Sequence, residues 1–173
     1  MVSALHRIAS RLFGLGAGLS LALVFAIIFV NSLRRYTIGR SFEWGEELPI
    51  YLTVYGIMFG LGLAYLDDRH IRFTILTNVL PERVRARVLA AVDLVTVAIG
   101  ASLAWSGYLF ATRRGAVEAS GLIGTAKAMA ERTGIDWFLG LGQMGAWQAA
   151  IGFGGAILAI AAVIRLAGRL QGR

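Results

Sequence analysis

Four long stretches of the chain lack the polar positions that would give a helix or strand a wet face. Leu12 to Leu33 runs 22 residues without a charge, and Leu48 to Leu66 runs 19. Val88 to Thr112 runs 25 with Asp93 as its one charge, and Trp137 to Ile164 runs 28 with none. At about 1.5 Å of rise per residue, each is long enough to cross a hydrocarbon core of roughly 30 Å. Inside hydrocarbon the backbone must satisfy its own hydrogen bonds, so such segments are helices. The pattern therefore predicts an all-α integral membrane protein. It forms a single membrane domain over residues 1–173, with four transmembrane helices at 12–33, 48–66, 88–112 and 137–164. Short interfacial segments join them.

Two of the runs need closer reading. The first follows His6, Arg7 and Arg11, as the core of a signal peptide would. It is longer than such a core, and it ends at Asn31-Ser32-Leu33-Arg34-Arg35 without a convincing cleavage site, so it reads as a retained span. The fourth run is longer than a crossing needs and carries Gly140, Gly142 and Gly145 in its first third. Glycine costs about 1 kcal/mol relative to alanine in a helix. Either this helix is tilted, or its first turns lie at the interface. Asp136 is a candidate N-cap, and Trp137 and Trp147 suit the headgroup level.

Composition agrees with the pattern. The chain has 173 residues, 57% hydrophobic and 16% charged, where a soluble domain has about 25% charged. That excludes a solvated globule and a disordered chain alike. Cysteine is absent, which removes disulfide frameworks, thiol catalysis and thiolate metal sites. Histidine occurs twice, at His6 and His70, too few for a histidine-rich metal site. A net charge of +7 in a soluble protein would suggest nucleic acid. In a membrane protein it reads as loop charge, and no nucleic-acid partner is expected. With four spans, both termini and the 67–87 loop share one side and carry ten Arg or Lys residues, against seven on the other. This places both termini in the cytoplasm.

The loops offer a few candidate residues. Glu46 and Glu47 stand just before the second span, where carboxylates favour the positive end of a helix dipole by roughly 0.3–1 kcal/mol each. Pro49 suits the first turn of that helix. On spacing alone, a well-made helix start explains the acidic pair better than a binding site does. Phe42 and Trp44 suggest that this loop lies at the interface. His70 to Leu76 mixes polar and apolar residues as a surface-lying segment does, with His70 and Arg72 as candidates for a contact there. Leu122 to Arg132 is expected to form a short amphipathic helix ended by Gly134.

Chemistry inside the spans is sparse. A chain that moves its own substrate usually places ionisable groups there. Here Asp93 sits five residues into the third span, within reach of water or a nearby arginine. There is no phosphate loop, no His-Glu metal motif and no Ser/His/Asp set, so no enzyme activity is proposed. Small residues are abundant instead: Gly14 and Gly18, Gly56 and Gly60, and Gly152 and Ala156 are each four apart. This spacing lets helices approach closely, either within the chain or against a partner.

At the second span the sequence resembles the small membrane subunit, DctQ-like, of the tripartite ATP-independent periplasmic (TRAP) transporters. The matching residues are Asn31, Arg34, Arg35 and Tyr36, then Trp44-Gly45-Glu46-Glu47-Leu48, which is similar to the family's Trp-Ser-Glu-Glu-Leu. Tyr51, Gly60 and Ala64 follow, and then His70-Ile71, Leu76 and Leu80-Pro81. The resemblance covers about residues 12–112 well. Gly45 departs from the usual Ser and Arg69 from a frequent Gly, and Asp136 stands for Pro in a segment similar to Gly-Ile-Pro-Trp.

The resemblance implies a multi-pass subunit of the bacterial inner membrane, in a sodium-coupled system for carboxylates or sulfonates. Its partners would be a large DctM-like membrane subunit and a periplasmic DctP-like binding protein, with membrane lipids around them. The small subunit would brace the elevator-type large subunit and help form the docking face for the binding protein. Sodium belongs to the large subunit, and no cofactor is expected here beyond a phospholipid at the interface. Trp44, Glu46, Glu47, Arg34, Arg35, His70 and Arg72 become candidate interface residues, and Gly14, Gly18, Gly56 and Gly60 helix-packing residues. A self-sufficient four-helix exporter and the anchor subunit of another membrane complex remain as alternatives on residue content alone.

Overall fold

The computed structural model describes residues 2–67 and 80–171. They fold into six helices: α1 (Val2–Ile38), α2 (Trp44–Leu66), α3 (Glu82–Arg114), α4 (Ser120–Thr133), α5 (Trp137–Leu141) and α6 (Met144–Leu170). Four of them, α1, α2, α3 and α6, are long and apolar enough to cross a bilayer. No strand occurs among the described residues beyond an isolated bridge between Glu118 and Gln143.

The helices outrun the apolar stretches that predict them. α1 is 37 residues long, about 55 Å at helical rise, so it extends past both ends of the 12–33 run. It stops at Gly39, whose φ of 73° lies in the left-handed region that glycine enters without strain. The N–H of Gly39 reaches back to the Arg35 carbonyl at 3.1 Å. α4 ends the same way at Gly134 (φ 69°), as the sequence predicts.

Two expectations need correction. α2 begins at Trp44 rather than near Leu48, so Pro49 lies beyond its first turn, inside the helix. The start is made early by short backbone turns, Gly45 N–H to the Phe42 carbonyl and Glu46 N–H to that of Glu43. The fourth apolar run is also not one helix. It breaks after Leu141 at Gly142 and Gln143, leaving the single turn α5 and the spanning helix α6. Gly142 is buried where α5 turns, with Ile123 and Ala126 of α4 so close that a side chain would collide. The glycines therefore mark a corner, and Asp136 makes no side-chain cap.

α6 is the centre of the molecule. α1 packs on α2, α2 on α6, and α3 on α6, with lighter contact between α1 and α6. α3 has no comparable packing on α1 or α2, so α6 holds most of it. The main apolar core lies at one end, where Ala9 and Phe13 of α1, Tyr65 and Leu66 of α2, and Ile157, Leu158, Ala161 and Ala162 of α6 meet. α1 and α3 turn large apolar side chains outward, among them Leu15, Phe25, Leu94 and Trp105. In water these would be a liability; in a bilayer they face lipid or a partner.

The α3–α6 seam is built by absence of side chains. The residues of α3 that are buried are Asp93, Gly100 and Gly107, spaced by seven. A Cβ at Gly100 would stand 2.7 Å from the Ala159 nitrogen and 2.8 Å from the Gly155 oxygen. One at Gly107 would run into the backbone of Gly152. The two backbones are therefore in direct contact, the small-residue packing typical of membrane helices.

Candidate functional site

The end of the bundle where α1 finishes and α2 begins carries most of the residues singled out by sequence. Asn31 is buried near the end of α1, and its Oδ1 accepts the Phe42 N–H at 2.7 Å, closing the α1–α2 loop. Gly45 leaves room beneath it: a Cβ there would lie 2.6 Å from the Asn31 side chain, which would have to shift. The Arg34 guanidinium sits 3.8 Å above the Phe42 ring, and Phe42 stacks on Trp44 at 5.1 Å. These contacts fix the loop as an ordered corner.

Glu47 is the hub. Its Oε2 accepts the backbone N–H of Gly121 at 2.6 Å, and its Oε1 accepts the Tyr51 hydroxyl at 2.6 Å. Gly121 is the second residue of α4, whose N-cap, Ala119, has no side chain able to cap it. A carboxylate from α2 therefore does the work of a missing cap, favoured by the free amides and the positive dipole end of α4. Gly121 is glycine for space, since a Cβ would lie 2.7 Å from Glu47 Oε2.

The same face of α2 ties down the start of α6. Tyr51 stacks on Trp147 at 5.1 Å with the rings 14° apart, and the Tyr55 hydroxyl donates to the Ala146 carbonyl. Trp147 donates its indole N–H to the Leu141 carbonyl at 3.0 Å, bracing the corner between α5 and α6. Backbone bonds from Ala119 to Gly142 and from Met144 to Val117, both 2.8 Å, close the platform. Trp44, Leu48, Leu122, Met129, Phe138 and Trp147 surround an apolar cavity of about 360 Å³ within it.

Glu46 and Arg35 do not join this hub. Glu46 accepts the Ser41 hydroxyl at 3.2 Å, and both residues line a groove between α1 and α2. His70 and Arg72 lie outside the described residues. Of the glycines four apart, Gly56 and Gly14 make contacts, with Cβ positions 3.0 Å from Ser20 and 3.7 Å from Leu63, while Gly18 and Gly60 face open space.

At the opposite end, Asp93 is 1% exposed. Tyr65 donates its hydroxyl to Asp93 Oδ1 at 2.7 Å, and Arg169 its Nε to Oδ2 at 2.5 Å. Of the two surroundings expected for this carboxylate, the structure supplies the arginine. Arg165 donates to the Tyr65 carbonyl at 2.7 Å, and His6 lies 3.1 Å from the Leu66 carbonyl. No group of His, Cys, Asp or Glu among the described residues has the geometry of a metal site. The polar clusters at both ends join helices.

Sequence reasoning named Tyr51 only as a matching residue, without a role, and did not find Gly121, Arg169 as the partner of Asp93, or the α3 side of the Gly100–Gly107 seam. The seven-residue spacing of Asp93, Gly100 and Gly107 is the signal that could have revealed the seam. Glu47 to Gly121 spans 74 positions, and no local pattern reports it.

Comparison with known proteins fits this picture. Residues 24–172 match the family model for the DctQ component of tripartite ATP-independent periplasmic transporters. Two putative TRAP transporter small permease proteins of Haemophilus influenzae (strain ATCC 51907 / DSM 11121 / KW20 / Rd) are similar. One is 32% identical over 44% of this chain and 46% of its own length, the other 33% identical over 35% and 38%. The sialic acid TRAP transporter permease protein SiaT of Haemophilus influenzae (strain 86-028NP) is 35% identical over 41% of this chain and 11% of its own length. The matches thus span less than half the length of each of these relatives. The family match covers most of the chain, and the chain belongs to the DctQ component family of TRAP transporters, a transporter subunit rather than an enzyme.

Proposed function

We propose that this chain is the static small subunit of a sodium-coupled TRAP transporter for organic acids, carboxylates or sulfonates. It braces a large elevator-type membrane subunit and offers the α4–α5 platform to a periplasmic substrate-binding protein. It lies in the inner membrane with both termini in the cytoplasm, so that the Glu47 hub faces the periplasm. Glu46, Arg34, Arg35 and Trp44 are contact residues at that level, His70 and Arg72 on the cytoplasmic side. Phospholipid fills the grooves left between the two subunits.

The observation that carries this reading is how Asp93 is used. It is the lone acid within the long apolar runs, and its carboxylate is already engaged by Tyr65 and Arg169. A self-sufficient exporter needs an intramembrane acid free to exchange protons or substrate. Instead, α6 is locked on both sides, by a backbone seam to α3 and aromatic clamps from α2, as a fixed frame requires. The outward apolar faces of α1 and α3 leave surface for lipid or a partner.

The test is neutral replacement, Glu46→Gln with Glu47→Gln, in cells that carry the whole transport operon. The reading expects less assembled complex and slower organic-acid uptake. Unchanged assembly and unchanged uptake would refute it.

A further inference from the structure

A second polar feature lies away from the Glu47 hub, at the end of the molecule where α3 begins and α6 ends. There a cleft of about 580 Å³ is lined by Arg85 and Arg87 of α3 and Arg169 of α6, with Glu82 at its edge. Its remaining wall is apolar, formed by Ala86, Leu89, Ala90 and Leu170. Leu170 is 77% exposed, a large apolar side chain lining the same cleft as the three arginines. Neither Arg85 nor Arg87 has a carboxylate partner among the described residues, and both are exposed. Arg169 is held in place from behind by Asp93, and its Nη2 is buried without a hydrogen-bond partner.

We infer that this cleft binds the phosphodiester headgroup of an anionic phospholipid. Arg85 and Arg87 supply the mobile charges, and Arg169 supplies a guanidinium fixed by the Asp93 bridge. Guanidinium forks match paired oxygens, which favours an oxyanion such as a phosphodiester over a chloride. The charge balance is modest: Glu82 and Asp93 offset two of the three arginines, leaving a net +1 suited to one monoanionic headgroup. The apolar wall runs down α3 from Ala86 to Ala90, in the direction an acyl chain takes from its headgroup. A free phosphate ion would use the arginines and leave that wall idle. Basic pockets between spanning helices are a recurrent way to hold such lipids. The inference needs only that the chain sits in a bilayer, so it stands or falls apart from the transporter assignment.

The experiment reconstitutes the full-length chain into nanodiscs of equal phosphatidylglycerol and phosphatidylcholine, then reads retained lipid by native mass spectrometry. Wild type is expected to keep one phosphatidylglycerol in preference to phosphatidylcholine. Arg85→Gln with Arg87→Gln, which spares the Asp93–Arg169 bridge, should weaken that retention roughly thirtyfold, about fivefold per arginine near a membrane surface. Arg113→Gln with Arg114→Gln, at the far end of α3, should leave it unchanged. Equal retention of the two lipids by wild type would overturn the inference. So would equal losses in the two double variants, which would mean diffuse charge and no site. Displacement of the lipid by inorganic phosphate at matched concentration would also overturn it, in favour of a free-anion site.

Discussion

Replacing Gly100 by alanine is expected to loosen α3 from the rest of the protein. The added Cβ would stand 2.7 Å from the Ala159 nitrogen, 2.8 Å from the Gly155 oxygen and 3.0 Å from the Ala159 Cα. All three are backbone atoms, so no side chain can swing aside. Restoring ordinary contact near 3.5–4.0 Å requires the helices to part by about 1 Å. Overpacking of this kind typically costs about 1–3 kcal/mol. The better helix propensity of alanine returns at most about 1 kcal/mol. Parting the helices also stretches the 2.5 Å Arg169–Asp93 contact, two turns away along the same face of α3. The net expectation is a loss of about 1–2 kcal/mol. Gly60→Ala is the control, because nothing lies within 4 Å of its Cβ position. It should be neutral or slightly stabilising. The assay is the fraction of monodisperse protein left after heating in mild detergent, with both variants beside wild type. Equal melting of Gly100→Ala and wild type, or equal damage from both alanines, would refute the seam.

Other expectations follow from the two polar clusters and the orientation. Asp93→Ala should cost about 3 kcal/mol, because it leaves Arg169, only partly exposed, without its carboxylate; leucine at both positions should recover much of the loss in the same heating assay. Glu47→Ala should free the start of α4, seen as faster amide hydrogen exchange at Gly121 and quicker proteolysis across 118–134, while exchange in the middle of α6 stays slow. Gly134→Ala should cost about 1 kcal/mol, since alanine is strained at a φ of 69°, and should fray the last turn of α4 by the same exchange measurement. The chain contains no cysteine, so single cysteines report topology without background. Ser3→Cys should react with an impermeant thiol reagent only in inverted vesicles, and Thr125→Cys only in right-side-out ones; the opposite pattern would reverse the orientation.

Much of the architecture can be read from hydropathy because a bilayer constrains it so strongly. The apolar runs locate all four long helices, and Gly134 marks the end of the short amphipathic one. Helix ends are less legible. α2 starts four residues before its charge-free run because Asn31, eleven residues upstream of Phe42, organises the turn. The corner at Gly142 is hidden in an apolar run, since hydropathy does not distinguish a helix from a bend lined by glycine. The acidic pair divides in a way that spacing cannot show: Glu47 caps another helix, while Glu46 turns to the groove beside Arg35. Small-residue spacing locates one side of the tight seam, at Gly152 of the Gly152–Ala156 pair. The other side uses a spacing of seven on α3 that a search for GxxxG-type pairs passes over, and of the remaining pairs Gly18 and Gly60 meet nothing.

The most direct test of the central claim is co-purification from native membranes in mild detergent, with mass spectrometry of everything that follows this chain. The account predicts a stoichiometric, many-span TRAP large permease, retained by wild type and weakened by Glu46→Gln with Glu47→Gln. Recovery of the chain only with copies of itself would contradict the account.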